Sequence, residues 1–507
     1  MSLGTLGIDV YQLTTLIAHA ADGRSLLSDP DAGGQLGMCF FFRRLPRNRR
    51  FVLSCGLRSL LEHCQAMRLA PDELRTIEEH PLLGPALRSE PGQRVRAALA
   101  SLDGFVGDID ALPEGTPAFA GPARRTDGTP VLIGDVPLHA YTPLLQVRTG
   151  LVCAKLIETP WLSRINYLSM VASKAARVVL ASRSDGRERS VLEFGQRRTH
   201  PQAALDASYA AYIAGCHATS NLAATHVYGI PSVGTMDHFA VQASERLVTP
   251  VHETEANFFA RFCSLFPGAA TLLVDTYDTW SGIGRAVRAT GRRLTGVRLD
   301  SSVTPEAVQR AKRLLGELGA AHAQVIVSDG LDEYRVRELA AAGADGFGVG
   351  ENITCSPDAA TGVGAVGKLV LNGHGKLTMK LARGSGKATL PGLLQCYRFG
   401  DHDLLTLSNE PPPPGGTPLL QPVWRGRRPV APSPAPAVIR EQVRAQLDAL
   451  PAALRSIDHP SPPHQPPAIP PTPSTSAVPG DGSGWPILIS DRLHQTVQML
   501  VAAATTG

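Results

Sequence analysis

Short apolar, β-branched runs recur between residues 190 and 350. Each closes on polar residues and is followed by a stretch with helical spacing. Val191-Leu192 ends in Glu193-Phe194-Gly195-Gln196-Arg197-Arg198, and the small and apolar residues from Ala203 to Ala214 predict a helix. Thr219-Ser220-Asn221 predicts a polar turn, and a second strand-like run closes on Gly234-Thr235-Met236-Asp237-His238. Thr271 to Val274 ends in Asp275-Thr276-Tyr277-Asp278, with a helix to about Arg288; Leu294 to Leu299 carries Arg298 and closes on Asp300-Ser301-Ser302. Pro305 to Leu318 is an amphipathic helix with proline in its first turn. Val325 to Val327 ends in Ser328-Asp329-Gly330, a helix covers Leu331 to Ala342, and Gly346-Phe347-Gly348-Val349-Gly350 closes the next strand.

This alternation, at roughly 25–30 residues per unit, predicts parallel strands joined by crossover helices. A (β/α) barrel gathers the C-terminal strand ends at one rim. Arg197, His238, Asp275, Asp278, Arg298, Asp300 and Asp329 fall at such ends. A doubly wound open sheet has the same periodicity.

The flanks differ in pattern. Ile8 to Thr14 opens a helix ending near Gly23, Cys39 to Arg43 is an aromatic strand, and Leu53 to Leu61 begins another helix. Residues 65–110 are mainly helical, and the Gly/Pro/Asp-rich segment 121–141 predicts an inserted surface hairpin or loop. A helical pattern carries Lys174 and Arg177 three apart, on one face: a solvated basic face, or the lining of a phosphate channel. Residues 410–435 are Pro-rich and Val438 to Leu454 is helical. Residues 459–485 cannot bury a core and predict an extended, largely disordered linker, and Pro486 to Ala504 predicts a last amphipathic helix. The expected division is 1–145, an N-terminal α/β domain; 146–385, the barrel; 386–458, a return to the smaller domain; then the 459–485 linker and a 486–507 helix.

Composition narrows the class. At 507 residues, 43% hydrophobic and 19% charged, most of the chain is expected to be globular. A net charge of +4 is too small for this length to argue for nucleic acid, and there is no long basic run with interleaved aromatics, so no nucleic-acid partner is expected. No signal peptide is evident, and no apolar run reaches the ~20 residues that span a bilayer. The eight cysteines are scattered, without metal-ligand spacing. That predicts reduced thiols in a cytoplasmic protein.

Three ordered motifs then carry a resemblance: Glu193-Phe194-Gly195-x-Arg197-Arg198, Thr219-Ser220-Asn221, and Gly229-Ile230-Pro231-x-x-Gly234-Thr235-Met236-x-His238. Together with Asp9-x-Tyr11-Gln12 and Phe42-Arg43-Arg44-Leu45-Pro46 they resemble the nicotinate phosphoribosyltransferase family. The resemblance implies an irregular (β/α) barrel of the type II phosphoribosyltransferase kind, with a second, smaller α/β domain built from both chain ends. It implies ATP-coupled formation of nicotinate mononucleotide and pyrophosphate from nicotinate and phosphoribosyl pyrophosphate, with Mg2+, in a homodimer with shared sites. Nicotinamide or another pyridine as acceptor, and a catalytically weak regulatory homologue, are the alternatives.

The implied roles follow the motifs. Phe194 and Tyr11, the latter from a partner subunit, sandwich the pyridine ring. Arg197 pairs with a carboxylate or phosphate through its planar fork. Ser220, unlike the aspartate of nicotinamide-using relatives, does not repel a carboxylate. Thr235 and Arg298 complete the substrate contacts. Ser328, Gly330, Gly348 and Gly350 form glycine-rich cradles for the 5′-phosphate. His238 is phosphorylated by ATP; Asp300 is catalytic, and Asp275 is the metal candidate. Asp278 also fits a helix cap. The chain departs from the family pattern at His217-Ala218, Phe239, Ser302-Val303 and Glu351, where the last sets a carboxylate beside an expected phosphate.

Overall fold

The computed structural model describes residues 4–21, 35–46, 49–245, 250–301, 303–359, 364–382, 384, 386–458 and 484–504. The described residues fall into two compact units, one drawn from Met1–Met170, Thr361–Pro434 and Gln465–Gly507, the other from Val171–Ala360 and Ala435–His464. The expected 459–485 linker and Ser302 lie outside the described residues, save Gly484 and Trp485.

The second unit carries the alternating pattern. Its six strands pair in the order Ala218–Thr219, Ser190–Glu193, Gly346–Val349, Gln324–Val327, Gly296–Leu299, Thr271–Leu273, every pair parallel. The inner strands are almost wholly buried, as a parallel sheet covered on both faces requires. Polar side chains start the crossover helices where their N–H groups would be orphaned. Asp278 caps Thr279–Thr290, Thr304 caps Pro305–Glu317, and Asp332 caps Glu333–Ala341. The sheet forms a half-barrel: its edges, 218–219 and 271–273, do not pair with each other among the described residues.

The strand expected to close on His238 is also different. Residues Leu222–Tyr228 are a helix capped by Asn221 and closed by Gly229 in the left-handed region (φ 68°). The following chain keeps only a one-residue parallel bridge, Thr219 to Ser232. Proline and glycine at 231 and 234 remove a donor and weaken extended pairing, so the run is too broken to hold a strand. His238 instead opens the short helix His238–Gln242, capped by Asp237.

The unit built from both chain ends spans the larger part of the chain, not the smaller. It contains an antiparallel sheet in the order 365–371, 36–42, 143–149, 107–111, 421–425, 428–429, and a mixed sheet in the order 417–418, 394–398, 403–407, 487–489, 120–125, 139–141. Aromatic residues fill its core, with Trp161 between Phe40 (5.7 Å) and Phe105 (5.6 Å). Several expectations are corrected here. Leu53 ends a strand and the helix begins at Leu57; Ile487–Ile489 is a strand ahead of the helix Asp491–Ala503. Each is a short apolar run whose strand state depends on a distant partner, such as 487–489 between 403–407 and 120–125. The helix expected over 438–454 stops at Ala449 and restarts at Ala452 around Pro451. All eight cysteines are free thiols, and no helix among the described residues is long and apolar enough to cross a membrane.

Lys174 and Arg177 line neither solvent nor a channel. Both are buried and converge on the fully buried Glu333: Lys174 Nζ lies 2.5 Å from one carboxylate oxygen and Arg177 Nε donates to the other at 2.8 Å. Asp358 sits 3.2 Å from Lys174, and Arg177 also donates to the Ile457 carbonyl at 3.1 Å. Burial pushes the Glu333 carboxyl up, but the two cations outweigh it and hold it below its ordinary value. The carboxylate therefore contributes stability above the unfolded pKa and loses it as pH falls through the lower, folded pKa. Glu333→Gln leaves two buried cations short of a counter-charge, at an expected cost of about 3–5 kcal/mol in urea unfolding at neutral pH. The gap to the native chain is expected to close in acid; a gap below ~1 kcal/mol, or one indifferent to acid, contradicts this account.

Candidate active site

The C-terminal ends of the parallel strands converge on a cleft of about 820 Å³ lined by Phe194, Arg197, Ser220, Thr235, His238, Arg298 and Asp300, among others. A smaller hollow of about 140 Å³ shares Phe194, Arg197, Arg298 and Asp300 with it and adds Ser328, Gly330, Gly348, Gly350, Arg198, Glu351 and Asn352. The two spaces thus meet along one wall. One holds the expected base-binding and histidine motifs; the other holds both glycine-rich turns.

Glu193 builds the framework. Alternation along Ser190–Glu193 puts Val191 and Glu193 on the same buried side. The Glu193 carboxylate accepts from Thr219 Oγ1 at 2.6 Å, Ser208 Oγ at 3.1 Å and the Gly195 N–H. Gly195 is required by space: a Cβ there would lie 1.7 Å from Thr354 Oγ1. The Phe194 ring lies on Gly348, where a Cβ would approach it to 2.5 Å, so glycine at 348 lets the ring settle against the neighbouring strand. Asn352 donates from Nδ2 to the Gly330 and Leu331 carbonyls at 3.2 and 3.0 Å, tying the two glycine-rich turns together.

His238 stands where its short helix meets two strand ends, those of Thr271–Leu273 and Gly296–Leu299. Its Nδ1 is 3.1 Å from Thr276 Oγ1. Its Nε2 faces Asp275 Oδ1 at 3.8 Å and Asp300 Oδ2 at 3.9 Å, beyond hydrogen-bond reach but within strong electrostatic range. Asp237, next to it in sequence, is occupied as a helix cap, accepting from the Ala240 N–H at 2.9 Å. The two aspartates are joined through the backbone, since the Asp300 N–H donates to Asp275 Oδ2 at 2.7 Å. Ser328 Oγ donates to Asp300 Oδ1 at 2.7 Å. Burial raises the Asp300 carboxyl, and Asp275 adds to this, against the Ser328 hydrogen bond and Arg298. Arg298 donates to the Met236 carbonyl at 2.9 Å, and burial lowers its pKa.

The buried Asp275 Oδ1 has no hydrogen-bond partner. Among the described residues no group of three or more His, Cys, Asp or Glu is arranged to hold a metal. The donor set fits a hard cation that brings most of its oxygen ligands with it, not one caged by protein.

Tyr11 belongs to the other unit, where it is 52% exposed on the helix Val10–Ala21. Asp278 is a cap, accepting from the Ser281 N–H, and neither it nor Asp329 lines the cleft or the hollow. The alternation of Val191 and Glu193 could have marked Glu193 in advance; Thr276 and Asn352 offered no such signal. Phe239, Phe258 and Phe262, not foreseen as site residues, form an apolar wall of the cleft.

Residues 190–378 match the family model described as the nicotinate phosphoribosyltransferase (NAPRTase) family. The chain is 32% identical over 503 residues to a nicotinate phosphoribosyltransferase of Mycobacterium tuberculosis, covering 97% of this chain and 92% of that one. It is 29% identical over 480 residues to the human nicotinate phosphoribosyltransferase, covering 82% and 81%. The fold is similar to the crystal structure of human nicotinic acid phosphoribosyltransferase, with a TM-score of 0.72, 24% identity and coverage of 97% and 99%. It is also similar to a nicotinate-nucleotide pyrophosphorylase from Pyrococcus furiosus, with a TM-score of 0.65, 23% identity and coverage of 88% and 96%. These two likenesses bear on the fold alone.

Proposed function

The chain belongs to the nicotinate phosphoribosyltransferase family, and from that premise we propose how its cleft and hollow carry the reaction. Nicotinate displaces pyrophosphate from phosphoribosyl pyrophosphate, giving the mononucleotide used in NAD biosynthesis. The observation that carries this assignment is the meeting of an aromatic, arginine-bearing cleft with a glycine-lined hollow along one wall. Such a site must hold a planar base and a phosphate on either side of one anomeric carbon.

The side chains divide the work by charge. Phe194 offers its ring to the pyridine, and Arg197, exposed above it, offers its fork to the carboxylate. Displacement of pyrophosphate builds positive charge on the sugar. Asp300, held by Ser328, presents a fixed carboxylate that stabilises such charge without reorganising. Positioning supplies most of the remaining acceleration. Asp275 Oδ1 and Asp300 are the residues that would hold Mg2+ arriving with the pyrophosphate; the ion would neutralise leaving-group charge.

Coupling to ATP is assigned to His238. Thr276 Oγ1 meets Nδ1, and the carboxylates of Asp275 and Asp300 lie 3.8 and 3.9 Å from Nε2, so both ring nitrogens have oriented polar neighbours. An imidazole so placed can accept a phosphoryl group on one nitrogen and shed it to water. Reduced thiols support a cytoplasmic setting. Turnover of nicotinate, with and without ATP, and label from γ-labelled ATP under alkaline quench test the assignment. His238→Ala is expected to lose the label and the ATP stimulation while retaining slow transfer. Label persisting in that variant, or native turnover indifferent to ATP, removes His238 from the coupling.

Base choice rests on Ser220, which lines the cleft without charge. Ser220→Asp is expected to raise the KM for nicotinate on the order of tenfold or more, by setting two carboxylates together. A native preference for nicotinamide in the same assay overturns this account.

The exposed Tyr11 supports a homodimer in which its ring serves the partner's site. Mixed dimers of Tyr11→Ala and His238→Ala chains are expected to recover ATP-stimulated activity through one intact site. Verified mixed dimers without recovery exclude sharing.

A further inference from the structure

Glu351 is the one carboxylate that the family pattern does not call for in the phosphate hollow. The strands Ser190–Glu193 and Gly346–Val349 are neighbours, with Glu193 opposite Val349, so the turns that follow them lie side by side. Arg198 closes the first turn and Glu351 opens the helix after the second. Arg198 Nη1 lies 3.5 Å from Glu351 Oε2, and the side chains are 50% and 61% exposed. Both line the hollow, whose arginines are Arg197, Arg198 and Arg298 and whose carboxylates are Asp300 and Glu351. Asn352 ties the adjacent turn to the Gly330 and Leu331 carbonyls, while the Glu351 side chain stays exposed beside it.

We propose that Glu351 is a resident counter-ion for Arg198 that an incoming phosphate monoester displaces, and that it thereby sets the affinity of the hollow for phosphoribosyl pyrophosphate. The inference rests on the assignment of the hollow to the 5′-phosphate. An exposed ion pair contributes at most about 1 kcal/mol. A guanidinium–phosphate contact is charge-assisted, can be bidentate, and has two negative charges to answer. The exchange therefore runs toward phosphate, at the cost of breaking the resident pair and leaving a carboxylate near the ligand. Losing Glu351 frees Arg198 and leaves Asp300 as the hollow's one carboxylate.

Calorimetric binding of phosphoribosyl pyrophosphate to the full chain, without nicotinate, tests this. Glu351→Gln is expected to tighten binding on the order of fivefold, with nicotinate affinity unmoved. In an Arg198→Ala background, itself weakened for phosphoribosyl pyrophosphate, the same substitution is expected to gain little. An equal gain in both backgrounds overturns the exchange, because Glu351 would then act by repulsion alone. Weaker binding by Glu351→Gln overturns it too, by making Glu351 a ligand to the metal–pyrophosphate. Ser328→Glu separates the premise from the inference. If an added carboxylate there leaves binding unchanged, the hollow is not the phosphate site and the proposal fails with it. If Ser328→Glu weakens binding while Glu351→Gln does nothing, only the role of Glu351 fails.

Discussion

A single buried carboxylate, Glu193, holds the catalytic unit in register. It gathers donors from the helix Pro201–Ile213, from the neighbouring strand Ala218–Thr219 and from the turn that follows it, with Thr354 Oγ1 at 3.4 Å beyond. A buried carboxylate needs such partners, and these elements supply them. The glycine two residues on is the geometric counterpart, because no side chain fits between it and Thr354. Phe194 lies between these two constraints, and the ring that lines the cleft is positioned by the residues on either side of it.

The same logic extends outward with falling stringency. Lys174, Arg177 and Glu333 form a buried ionic cluster of the second unit, fully enclosed. Asp275, Asp300, Arg298 and Ser328 are partly enclosed and deliberately incomplete, with Asp275 Oδ1 unpartnered and the Asp300 carboxyl raised. Arg197, Arg198 and Glu351 are exposed. Charges that must not move are buried and saturated. Charges that line the cleft and the hollow are left short of partners, which is where altered pKa values are expected.

Much of the catalytic unit was legible in the chain. The parallel strands, the crossover helices and the caps Asp278, Thr304 and Asp332 follow from hydrophobic period and helix-start chemistry, which act within a dozen residues. The gathering of Arg197, Arg298, Asp300, Ser328 and the two glycine turns at one rim follows from strand direction, because parallel strands bring like ends together.

What the chain did not disclose depends on partners far away in sequence. Periodicity places Lys174 and Arg177 on one face of a helix, but their burial depends on a glutamate more than 150 residues on. Ile487–Ile489 is a strand because two strands from elsewhere bracket it. The clustering of His238 with Thr276, Asp275 and Asp300 requires two strand ends to meet a stretch that is itself too broken by proline and glycine to be a strand. Local pattern alone therefore determined which way the strands run and which polar residues stand at their C-terminal ends. Only the tertiary structure decided which charges are sealed, which are left open to ligand, and that the sheet remains a half-barrel, because desolvation and charge pairing are properties of the packed whole and not of any segment.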